Sequence, residues 1–136
     1  MTQFNLETTE KITIQSYDEG EINLSVSGNA SESNTSRSIQ SFNNSFIVTP
    51  YQIIDNWRYS SVDELTAESF KSMIEHQPEL VILGTGKSLT FPSQQNLQAF
   101  HQAGIGIEVM NTASACRTYN VLVAENRFVI AGLLMI

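Results

Sequence analysis

Apolar and polar residues alternate from Ile12 and Ile14 through Ile22, Leu24 and Val26, with Asp18-Glu19-Gly20 between the two runs. A period of two is that of half-buried antiparallel strands, and the acidic, glycine-ended break predicts a hairpin turn. Residues 27 to 45 shift to Ser and Asn with only Ala30, Ile39 and Phe42 apolar, a composition that predicts a mobile polar loop or hairpin tip. Pairing resumes at Phe46-Ile47-Val48. Pro50, close behind, predicts that this strand is an edge or ends there, and an edge there offers a surface for a homodimer.

Beyond Gln52 the rhythm changes to strands alternating with helices. Ile53-Ile54 and Trp57 form a short apolar segment. Thr66 then offers an N-cap to a helix whose inward stripe is Ala67, Phe70, Met73 and Ile74, stopped by Pro78. Leu80-Val81-Ile82-Leu83 is a continuous apolar strand, as expected where helices cover both faces of a parallel sheet. Gly84-Thr85-Gly86 turns the chain, and Pro92-Ser93 opens a second helix with Leu97 and Phe100 inward and Gly104 as its end. Residues 105 to 110 repeat the strand. A third helix follows from Thr112 with Ala115, Cys116, Tyr119, Leu122 and Val123 on one face, Asn126 as its stop, and residues 128 to 136 as a closing buried strand. Successive strand-helix-strand units predict an α/β fold of three layers: a central mixed, largely parallel sheet flanked by helices, with the opening hairpins as an antiparallel layer.

Length and charge narrow the picture. At 136 residues the chain suits one domain, with residues 1–10 as a loose N-terminus. A net charge of −7 with seven basic residues spread along the chain supplies no clustered cationic face for nucleic acid. A single cysteine excludes an internal disulfide and a cysteine-based zinc cluster, and fits a reducing compartment. The first ten residues lack a basic region followed by an apolar stretch, and no apolar run is long enough to span a bilayer, so the expected location is the cytoplasm. Two distant histidines and no dense carboxylate cluster predict neither a metal nor another cofactor.

Candidate chemistry gathers at two strand ends. Gly84-Thr85-Gly86-Lys87-Ser88 invites a phosphate-loop reading, but Val81 stands where that loop needs its first glycine, and Pro92 interrupts the helix that has to begin at the lysine. A tight strand-to-helix turn is the simpler account. At the other strand end, Met110 leads into Thr112 and a helix start whose amides attract anions. Cys116 lies nearby, either as a nucleophile lacking a base within reach or as a small core residue. Lys87 and Arg117 follow strand ends where open α/β sheets place ligands, although Arg117 also suits a surface pair with Glu108. Tyr119 and Asn120, on or near a buried stripe, each need a hydrogen-bond partner. Gly84, Thr85, Gly86, Lys87, Met110, Thr112, Cys116, Arg117, Tyr119 and Asn120 therefore define a candidate crevice for a small molecule or anion.

The same residues carry a likeness. An apolar strand, Gly84-Thr85-Gly86, a helix, Gly106-Ile107-Glu108-Val109-Met110, Thr112, Ala115-Cys116-Arg117-Thr118-Tyr119-Asn120 and a closing apolar strand resemble a domain-of-unknown-function family. That family includes the mitochondrial respiratory complex I assembly factor and an adipogenesis-associated domain protein. The resemblance spans about residues 10 to 135 and is strongest in the second half. It implies a three-layer α/β fold with an accessory β layer, no established enzyme activity, and protein partners in respiratory or membrane-protein biogenesis. It also implies that the Gly-Thr-Gly turn and the Thr112 to Asn120 helix motif face one crevice.

Overall fold

The computed structural model describes residues 11–27 and 37–136. The segment read as a loose N-terminus, residues 1–10, lies outside the described residues, as does part of the polar stretch, residues 28–36. Strands β1 (Thr13–Asp18), β2 (Glu21–Ser27) and β3 (Arg37–Phe42) form one antiparallel sheet in that order. The alternation behind the predicted hairpin holds, with Ile14, Ile22 and Leu24 buried.

The reading of residues 27 to 45 as a polar loop requires correction, because Ser27 ends β2 and Arg37–Phe42 is a full strand paired to it. Side-chain polarity concealed this strand. Its order comes from the backbone ladder and from Arg37, whose Nε donates to Ser25 Oγ at 2.7 Å and whose Nη2 donates to the carbonyls of Ser25 and Lys11.

The second sheet contains β4 (Phe46–Val48), β5 (Ile53–Ile54), β6 (Leu80–Thr85), β7 (Gly106–Met110) and β8 (Val129–Leu134), in the order β5-β4-β8-β6-β7. β6 runs parallel to both β7 and β8, whereas β4 is antiparallel to β5 and β8, so the sheet is mixed in equal parts rather than largely parallel. β4 is not the predicted edge strand. It is paired on both sides and buried throughout, which removes the surface suggested for a homodimer. Pro50 lies beyond the ladder, where its missing N–H costs no pairing, and its carbonyl accepts from the Ile12 N–H at 2.9 Å.

Among the described residues three α-helices complete the fold: α1 (Lys71–Glu75), α2 (Gln94–Ala103) and α3 (Thr112–Ala124). The helix expected from Ala67 begins instead as a 3-10 turn, Ala67–Phe70, that leads into the short α1. Ser69 N–H bonds back three residues to the Thr66 carbonyl at 2.9 Å, and Ser69 Oγ accepts the Thr66 N–H, which holds the tighter winding. Ser93 caps α2, and Asn111 caps α3 by accepting the Ser114 N–H at 2.8 Å.

Successive residues of β6 and β8 point to opposite sides, and the core divides accordingly. Val81, Leu83 and Ile130 pack with Trp57, Phe70, Met73 and Phe100, beneath α1 and α2. Ile82, Ala131 and Leu133 pack with Ala115, Cys116, Tyr119 and the inward residues of β1 and β2. Trp57 closes the first of these clusters, its indole N–H donating to the Ser69 carbonyl at 3.1 Å.

Candidate functional site

The two strand ends singled out in the sequence meet at one rim. Thr112 joins them: its N–H donates to the Gly86 carbonyl at 2.9 Å, its hydroxyl accepts the Gly86 N–H at 2.8 Å, and the same hydroxyl donates to the Leu134 carbonyl at 2.6 Å. Thr112 is fully buried, so these bonds satisfy groups that water does not reach. Gly84 makes the approach of helix to strand geometrically permissible. A Cβ there sits 2.8 Å from Thr112 Oγ1, closer than real contacts allow, and a tight 3.0 Å from Thr112 Cα. Gly86 has φ +99°, a backbone state that favours glycine.

Thr85 organises the loop that follows. Its hydroxyl donates to the Ser88 carbonyl at 2.6 Å and accepts the Thr90 N–H at 3.2 Å. No helix begins at Lys87, since α2 starts only at Gln94, in keeping with a turn rather than a phosphate loop. Lys87 is exposed and pairs with Glu19 of the β1–β2 turn at 3.1 Å. Gly20 in that turn donates to the Ile136 carbonyl at 3.2 Å, so the hairpin end rests on the same rim.

The helix motif is spent on the opening sheet. Arg117 does not pair with Glu108; its guanidinium donates to Tyr17 Oη at 2.5 Å and to Ser114 Oγ at 3.2 Å. Tyr119 is fully buried and donates its hydroxyl to the Ile12 carbonyl at 2.8 Å. Asn120 accepts the Ile14 N–H and donates to the Ile14 carbonyl, both at 2.8 Å, and so serves the outer flank of β1 as a neighbouring strand does. These are the partners that the sequence required for Tyr119 and Asn120 without naming them. Met110 is half-buried against the same cluster.

Cys116 is fully buried among apolar neighbours. Burial pushes its thiol from 9.0 up to about 12, and the nearby Arg117 charge, a smaller influence, pulls it down. A thiol in that state carries almost no thiolate at neutral pH and is a poor nucleophile. Its potential bases are remote, because His76 and His101 belong to the α1 and α2 side of the sheet. Among the donors at the start of α3, the Thr112 and Ser114 N–H groups are already taken, which weakens that helix end as an anion cradle. The candidate residues thus come together, but Gly84, Thr112, Cys116 and Tyr119 fill the space between the elements, Met110 and Asn120 are half-buried, and only Lys87 and Arg117 are exposed.

Open concave surface lies elsewhere. One groove of about 800 Å³ runs between α2 and β7, lined by Phe91, Leu97, His101, Ile107, Glu108 and Val109 among others. Another, of about 840 Å³, is polar and lies beside Trp57, Arg58 and Tyr59. The sequence reading passed over the first, although Phe91, a large aromatic residue in a loop between a strand and a helix, was its visible sign. It also missed Tyr17 and Glu19, whose partners are about 100 and 68 positions away in the chain.

Known proteins resemble this chain. The rat NADH dehydrogenase (ubiquinone) 1 alpha subcomplex assembly factor 3 is 38% identical over 85 residues, 61% of this chain and 46% of that protein. The chain thus spans about half the length of the curated assembly factors it matches. A Francisella tularensis protein named 13 kDa major membrane protein is 26% identical over 90 residues, 65% of this chain and 73% of its own. The NMR structure of a Xanthomonas campestris protein superposes with a TM-score of 0.74 at 29% identity, covering 91% of this chain and 84% of that one. Residues 14–134 match the family described as protein of unknown function (DUF498/DUF598), which also includes the complex I assembly factor, and the chain belongs to that family.

Proposed function

We propose that this chain is a non-enzymatic assembly module that acts by binding other proteins during the biogenesis of a respiratory or other membrane-bound complex. The observation that carries the reading is how the Ala115 to Asn120 motif is used: Arg117, Tyr119 and Asn120 hold β1 in place, and Cys116 packs beneath them. A motif occupied in this way supports a rigid scaffold rather than a reacting centre. The assembly factors among its relatives support the biogenesis context. No helix among the described residues is long and apolar enough to cross a membrane. The proposed compartment is the cytoplasm, supported by a single buried thiol. Tagged chain purified from its own cells at low salt is expected to carry subunits of one membrane-bound complex and to keep them in the Cys116→Ala, Arg117→Ala double variant. Loss of every partner at all salt concentrations, or retention that depends on Cys116, sinks the reading.

A second reading has one observation in its favour: Lys87 and Arg117 are both exposed on the rim, held by surface contacts to the β1–β2 hairpin and, for Arg117, to Ser114. An anion that displaces Glu19 from Lys87 meets two cations. Thermal-shift titration with inorganic phosphate and nucleotides tests it, since a site filled at a hundred times its dissociation constant adds about 2.7 kcal/mol. Unchanged melting with every anion removes this alternative.

A further inference from the structure

Among the described residues β7 ends the five-stranded sheet, with β6 on one flank and no strand on the other. An edge of this kind presents one row of backbone donors and acceptors and is a template for another strand. Its side chains divide by face. Ile107 and Val109 turn toward α2 and form the half-buried floor of the groove, with Leu97 behind them and Phe91, 67% exposed, at the rim. Glu108, between them, borders the groove at the strand edge but alternates to the side away from its floor, and it is exposed. β7 carries no proline, bulge or lysine, so Glu108 is the one charge guarding it.

That charge discriminates between occupants. Two copies of β7 paired about a two-fold axis at the middle of the strand place Glu108 opposite Glu108, which is unfavourable, and bring together two chains of net charge −7 each. A strand with a lysine or arginine beside Glu108 reverses that sign. Its neighbouring residues point to the other face and fall on Phe91, Leu97, Ile107 and Val109, where apolar side chains fit.

We propose that the groove between β7 and α2 is a docking site for an extended segment of a partner protein. The segment adds to the sheet beside β7, with apolar side chains alternating with basic ones. This names the surface for the protein-binding role above and rests on that reading.

The test uses the full chain and two capped octapeptides, one alternating valine with lysine and one alternating valine with glutamate, followed through backbone amide NMR shifts. The lysine peptide is expected to shift amides of β7 and α2. Its affinity falls about tenfold in Glu108→Lys and is little changed in Asp55→Lys, an exposed reversal of equal charge beside β5 at the opposite edge of the sheet. Glu108→Lys prefers the glutamate peptide, and Phe91→Ser weakens both. Each variant is checked for an unchanged melting temperature. Shifts centred on β3 or spread over the surface, equal losses in the two reversals, or no shift at about 1 mM peptide overturn the proposal. A chain that still captures its complex when Glu108→Lys and Phe91→Ser are combined overturns this surface alone and leaves the assembly role standing; a wild-type chain that captures nothing overturns the assembly role itself.

Discussion

The start of α3 and the free flank of β7 lie a few residues apart in the chain and use their side chains in opposite ways. Around Thr112 the polar groups that look like chemistry are turned inward: one hydroxyl serves Gly86 and Leu134, one amide serves Ile14, one phenol serves Ile12. Along β7 the chain instead leaves Phe91 and Glu108 to solvent. A dense polar motif in a sequence is therefore no more a sign of a site than an apolar side chain that the fold leaves uncovered. In this molecule the motif holds the fold together, and the uncovered edge is the surface proposed for a partner.

The strongest way to break that contrast is to disturb each region sterically. Gly84→Val forces a side chain against the Thr112 backbone and is expected to cost about 3 kcal/mol in urea denaturation. Phe91→Ser, with the ring mostly in water, is expected to stay within about 0.5 kcal/mol of wild type. Equal losses at the two positions mean that β7 and its loop are as structural as the rim.

The rim and the edge also differ in how well the sequence announced them. β6, α2, α3 and β8 were legible because each combines a strong apolar pattern with end signals: Ser93 at the start of α2, Gly104 at its end, Asn126 after α3. β3 was not, since most of its side chains are exposed and its one aliphatic residue, Ile39, is 52% exposed, leaving no period-two signal. The placement of β4 inside the second sheet was illegible for another reason. Three apolar residues fit a central strand as well as an edge, and only the return of β8 beside it decides. At the rim the residue set was readable but its use was not, because the partners of Tyr119 and Asn120 are backbone groups about 107 positions away, and backbone groups leave no trace in residue identity.

Those long-range bonds give the second, smaller test. Asn120→Ala strips both partners from Ile14 at the outer flank of β1 and is expected to cost about 2 kcal/mol. The loss should be local before it is global, with faster amide hydrogen exchange at Ile14 and its β2 neighbours and little change in β6. Tyr119→Phe, which orphans one carbonyl, is expected to cost about half as much. Uniform acceleration across both sheets instead means that α3 carries the whole fold rather than stitching one sheet to it.

The effect that is smallest at neutral pH is read in alkali. The Cys116 thiol stands at about 12 in the folded chain against 9.0 when free, through burial with weak opposition from Arg117, and burial raises the Tyr119 hydroxyl above its free value of 10.0. Below pH 9.0 both folded and unfolded chains keep the thiol proton, so the site contributes no pH dependence. Above it the unfolded chain has released a proton that the folded chain retains, fewer protons are bound on unfolding, and stability falls as pH rises. The slope from one such group is at most about 1.4 kcal/mol per pH unit, steepening as the phenol joins. Urea midpoints from about pH 8 to about pH 11 in wild type and Cys116→Ala isolate the thiol's part, because the alanine variant lacks the first segment of the decline. If the two curves run parallel, or the native thiol reacts with a disulfide reagent as fast as a free one, then water reaches Cys116. The rim is then open in the same sense as β7, and the division between a closed motif and an open edge collapses.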